Sequence, residues 1–112
     1  MFMIKKALNK KAFKFKIDTY IDLLSLHPRR KKMLYNDSIV ALATPSGAGA
    51  IAIIRISGAD AITIGNSVFQ SIKGKDLTKQ KSHTLHLGHI IDNQKTLDEV
   101  LVSIFKGPHS YT

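Results

Sequence analysis

Arg55 is the residue whose type and setting most directly suggest chemistry. It stands inside Ala50-Ile51-Ala52-Ile53-Ile54-Arg55-Ile56-Ser57, an otherwise apolar run. A guanidinium in such a run is costly to bury unless it meets an anion. Two readings are open. In one, Arg55 occupies an edge or rim, with its stem packed and its head in water. In the other, its planar fork captures a carboxylate.

The other candidates are weaker. His83, His86 and His89 recur every three residues. Side chains alternate along a strand, so His83 and His89 would share one face and His86 the other, too spread to converge on one metal. They read as polar or half-buried sheet histidines, and His109 stands alone in a loop. Gly47-x-Gly49-x-x-Ala52 has the G-x-G-x-x-[GA] spacing. A dinucleotide fingerprint needs a helix after the turn, so that the pyrophosphate meets the helix N-terminus. An Ile-rich β run follows here, so these residues read as a tight loop between strands. The sequence has no G-x-x-x-x-G-K-[ST] and no G-x-S-x-G, hence neither a phosphate-cradling P-loop nor a nucleophile elbow. It has no cysteine, which excludes disulfides, thiolate catalysis and Cys-ligated zinc. With no catalytic constellation and no metal-ligand set, the chain by itself is read as non-enzymatic.

The elements that would position Arg55 follow from periodicity. Asp37 to Ala43 form a short, β-branched, apolar run that reads as a buried strand, and Thr44 to Gly49 a loop rich in Pro and Gly. Residues 50–57 form a second strand, which Gly58-Ala59-Asp60 ends. Ala61, Ile62, Ile64, Val68, Phe69 and Ile72 recur at three-to-four spacing, which predicts a helix to Ile72 with Asp60 as N-cap or first-turn acid. Residues 73–81 read as a polar loop, and 83–91 as a third strand. Asp92-Asn93-Gln94-Lys95 is a turn, and 97–105 a fourth strand hairpinned to the third, with Val100, Val102 and Ile104 on one face. The order β-β-α-β-β predicts an α+β fold with a mixed or antiparallel sheet of about four strands and one main helix.

Charge divides the 112 residues. Residues 1–32 hold ten Lys/Arg against two Asp, a net +8, and residues 33–112 hold seven basic residues against six acids, a net +1. The whole-chain +9 therefore belongs to an N-terminal segment and not to the domain. Three readings of residues 1–32 are open: an organelle transit peptide, an arm attracted to nucleic acid or membrane, or a weakly structured extension with Met33 as initiator. The segment shows no sustained core-facing periodicity and is expected to be dispensable for folding. The longest apolar stretches fall short of the ~20 residues of a transmembrane helix.

Asp37-Ser38-Ile39-Val40-Ala41-Leu42-Ala43-Thr44-Pro45, followed by a Gly-rich turn and a strand ending Arg55-Ile56-Ser57-Gly58, resembles the start of the MnmE (TrmE) family of tRNA-modifying GTPases. Asp98-Glu99-Val100-Leu101-Val102 with Gly107-Pro108-His109-Ser110-Tyr111-Thr112 resembles the family's next block. The match covers residues 33–112 and leaves 1–32 unmatched. It implies a tetrahydrofolate-binding and dimerising N-terminal domain, similar to the folate domains of aminomethyltransferases and truncated before the G domain. It implies a role in wobble-uridine modification of tRNA, with an FAD-dependent MnmG-like partner and a folate derivative (5-formyl- or methylene-tetrahydrofolate) as one-carbon source. Arg55 matches one of the family's folate contacts; the other contacts, and the GTP, Mg and K sites, lie beyond the residues present. A homodimer in the cytoplasm follows from the resemblance, or an organelle if residues 1–32 target the chain. The competing function is a small basic nucleic-acid-associated module that grips phosphates with residues 1–32.

Overall fold

Alternating burial along the strands sets the architecture. In the computed structural model, which describes residues 2–6, 38–45 and 49–109, the elements run β1 (Phe2–Lys6), β2 (Ile39–Leu42), β3 (Ile51–Ser57), α1 (Ala61–Val68), β4 (Phe69–Ser71), a 3-10 turn (Leu77–Lys79), β5 (Thr84–Asp92) and β6 (Lys95–Ile104). The strands form one sheet in the order β2-β3-β1-β6-β5-β4, and every pairing is antiparallel. One face of the sheet carries the core. Ile54 and Ile56 of β3, Ile90 of β5, and Val100, Val102 and Ile104 of β6 pack there with Ala61, Phe69 and Leu77. Ile62 and Val68 of α1 join them, so the helix covers that face.

The α+β class and the antiparallel sheet are as the sequence predicts, and so, among the described residues, is the single main helix; the expected buried strand at Asp37–Ala43 is instead the mostly exposed β2, because it lies at the edge of the sheet. Two strands were not foreseen, and each has a physical reason. The expected helix to Ile72 stops at Val68, because Phe69–Ser71 pairs with β5 as Phe69 opposite Ile90, Gln70 opposite His89 and Ser71 opposite Gly88. Phe69 fits either period, and a strand edge with unmet hydrogen bonds decides between them. Gly88 makes the approach possible, since a Cβ there would strike the Phe69 ring and the Gln70 carbonyl.

The second is β1. The sequence pattern predicts a weakly structured extension over residues 1–32, yet Phe2–Lys6 is an inner strand, paired with β3 on one side and β6 on the other. Five residues carry too little pattern to reveal a strand whose partners lie about 50 and 100 positions away. The rest of the N-terminal segment lies outside the described residues.

The loop after β4 is also more ordered than its polarity suggests. Leu77 is fully buried, and its N–H donates to Asn66 Oδ1 of α1 at 2.8 Å. Asp76 caps the 3-10 turn by accepting from the Thr78 N–H at 2.9 Å and the Thr78 hydroxyl at 2.6 Å.

Candidate functional site

Alternation along β3 buries Ala52, Ile54 and Ile56 and turns Ile53, Arg55 and Ser57 to the face away from the core. Arg55 is half-buried there. β3 lies between β2 and β1, so Arg55 is not at a sheet edge; it stands on an inner strand, on the face away from the core. Its register partners are Ala41 of β2 and Phe2 of β1. Arg55 Nε donates to Ser57 Oγ at 3.0 Å, two residues along the same face. That bond orients the guanidinium plane, which a fork needs in order to meet a carboxylate with two parallel N–H groups. Ser57 is a residue that sequence reasoning missed as a partner, although its i+2 spacing from Arg55 on a strand was legible.

The histidines are not brought together. His83 precedes β5 with φ of 61°, its N–H donates to the Ile104 carbonyl at 2.7 Å, and its ring meets Phe105 edge-on. His86 is buried on the core face. Thr84 donates its hydroxyl proton to the Lys81 carbonyl at 2.7 Å, so the 2.8 Å contact to His86 Nε2 requires the ring to be the donor. This assigns the Nε2–H tautomer, and burial together with the Lys75 charge holds the His86 pKa below its usual value. His89 reaches toward Glu99 at 3.8 Å. Among the described residues no three of His, Cys, Asp and Glu gather as a metal ion would need. The Gly-rich segment after β2 leads into β3, antiparallel to β2, and not into a helix. Ala43 N–H donates to the Ile53 carbonyl and Ile53 N–H to Thr44 Oγ1, which carries the pairing past the end of β2.

Residues 38–112 match the family model described as "GTP-binding protein TrmE N-terminus". The chain belongs to that family. Curated relatives named tRNA modification GTPase MnmE include one from Flavobacterium johnsoniae, 82% identical over 80 residues, and one from Flavobacterium psychrophilum, 75% identical over 80 residues. Each match covers 71% of this chain and 17% of the relative. One from Bacillus subtilis is 46% identical over 78 residues, which is 68% of this chain and 17% of the relative. The chain thus spans about a sixth of the length of these relatives.

The TrmE N-terminal pattern has a physical basis around Arg55. Gly58 has φ of 131°, and a Cβ there would meet the Cα of Ser38 at 2.5 Å. Ser38 Oγ accepts the Asp60 N–H at 3.1 Å. Ser38 and Gly58 therefore lock the start of β2 to the end of β3 and to the entry of α1. Asp60 does occupy the N-cap position, but its side chain makes no capping hydrogen bond.

Proposed function

We propose that this chain is a folate-binding and dimerising N-terminal unit of a tRNA-modifying GTPase, acting in wobble-uridine modification. The observation that carries the reading is Arg55: a half-buried guanidinium on the face of an inner strand away from the core, bonded to Ser57 and in register with Ala41, inside the family-matched segment. Its ligand is a tetrahydrofolate derivative, 5-formyl- or methylene-tetrahydrofolate, whose glutamate tail presents the carboxylate that the fork fits. When bound, the folate supplies a one-carbon unit. The residues here bind and orient it; they include no P-loop, and GTP turnover is not assigned to them. A second copy of the chain, a tRNA and an FAD-dependent MnmG-like protein are the proposed partners, and the cytoplasm the proposed location.

Titration calorimetry with 5-formyltetrahydrofolate tests the site. A charge-assisted hydrogen bond to a carboxylate is worth about 1.5–3 kcal/mol, so Arg55→Ala should weaken binding roughly ten- to a hundredfold. Arg55→Lys keeps the charge but not the fork, and should recover part of the loss. Equal affinity for wild type and Arg55→Ala would remove Arg55 from the site, and no binding by the wild-type chain would overturn the reading of this chain as a folate-binding unit.

A further inference from the structure

β1 is the strand that holds the sheet in one piece. β2 and β3 pair with each other, and β6, β5 and β4 form a second group; β1 pairs with both β3 and β6. Yet Phe2–Lys6 lies outside the family-matched segment, which begins at residue 38. The 32 residues between Lys6 and Ile39 can span, at about 3.3–3.6 Å each, many times the distance between neighbouring strands. The connection therefore does not dictate where β1 sits. It behaves as a tethered ligand, held by pairing and by its high local concentration. Without it, β3 and β6 would face each other with two rows of unmet N–H and C=O groups.

We propose that the slot between β3 and β6 is a strand-acceptor site, filled here by Phe2–Lys6, and that an extended peptide of the same sequence can occupy it in trans. Recognition is antiparallel pairing on both sides at once, with pockets for alternate side chains. The register defines those pockets. Position 3 lies between Ile54 and Val102, position 4 between Ile53 and Leu101, and position 5 between the buried Ala52 and Val100. Both register partners of position 5, Ala52 and Val100, are apolar and buried, so a peptide with Val in place of Lys at that position should bind more tightly than the native sequence.

Two experiments on the full chain test this. The native sequence has no cysteine, so introduced pairs report cleanly. Directly opposed strand residues lie within disulfide reach. Ile4→Cys with Leu101→Cys should cross-link on mild oxidation, and the off-register pair Ile4→Cys with Val102→Cys should not. Ile4→Pro removes a donor from the strand and should empty the slot. A labelled peptide MFMIKKALNK should then bind Ile4→Pro saturably and wild type at least tenfold more weakly, with the Lys5→Val peptide tighter still. If Ile4→Pro unfolds, adding the peptide should restore its circular dichroism. Absence of the in-register cross-link, equal binding to both chains, or no binding and no rescue would each overturn the proposal.

Discussion

His86 sits on the core face of β5 with its Nε2–H given to Thr84, whose own proton is committed to the Lys81 carbonyl. Thr84→Val keeps the shape and removes the acceptor, leaving a buried donor unmet at a cost of about 1–3 kcal/mol; the midpoint of urea unfolding checks this. The same burial sets a pH dependence. Burial makes the native His86 hold its proton less tightly than the unfolded one, whose pKa is near 6.5. Below that pH the unfolded chain binds more protons, so the His86 contribution is intact above pH 6.5 and is lost on acidification. Asp76 is displaced in the same direction, by its bonds to Thr78 and by Lys79, and its contribution is lost only as pH falls below 3.8. Melting temperatures should therefore begin to fall below about pH 6.5, and His86→Gln should flatten that first decline without touching the second.

At the scale of elements, the hairpin between β5 and β6 shows sequence and backbone in partial conflict. Asn93 and Gln94 both have positive φ, at 46° and 70°. A two-residue hairpin loop of this kind suits the twist of its strands and favours Asn-Gly. Asn93 tolerates the conformation, but Gln94 carries the steric cost of a left-handed residue. Gln94→Gly should stabilise the chain by about 1 kcal/mol, read as a rise in the thermal midpoint. The loop after β4 shows the reverse. Its charges suggested a solvated connection, but one buried Leu77, worth about 1.5–3 kcal/mol, anchors it beneath the helix. Lys106 closes it from the far side, its ammonium donating to the Gln80 carbonyl at 2.5 Å and its backbone N–H to Ser82 Oγ at 2.8 Å.

For the molecule as a whole, one face of the sheet is covered by α1 and the 3-10 turn, and the other carries exposed apolar side chains. Ile39 is 63% exposed, Ile51 55%, Leu85 65%, Leu87 45% and Leu101 40%, all on the face that bears Arg55. Leu87 and Leu101 are direct cross-strand partners near its middle. The proposed homodimer would use this face, since apolar surface shared by several strands is what association removes from water. Leu87→Asp with Leu101→Asp should shift the chain to a monomer in sedimentation velocity while leaving its circular dichroism unchanged. An unchanged dimer would place the contact elsewhere.

The class of fold, the strand that carries Arg55, the β5–β6 hairpin and the family are all legible in the residues, because each rests on local periodicity or contiguous motif residues. Arg55 was legible as one charge in an apolar run. Its place on an inner strand, on the face away from the core, and its bond to Ser57 were not, because both depend on which strands flank β3 and which face the helix covers. The same holds for the two short strands. Phe69–Ser71 and Phe2–Lys6 are too brief for a period to declare itself, and both are strands because distant edges offer them hydrogen bonds. Such strands are settled by packing, because a strand of three to five residues draws its stability from its neighbours and not from its own sequence.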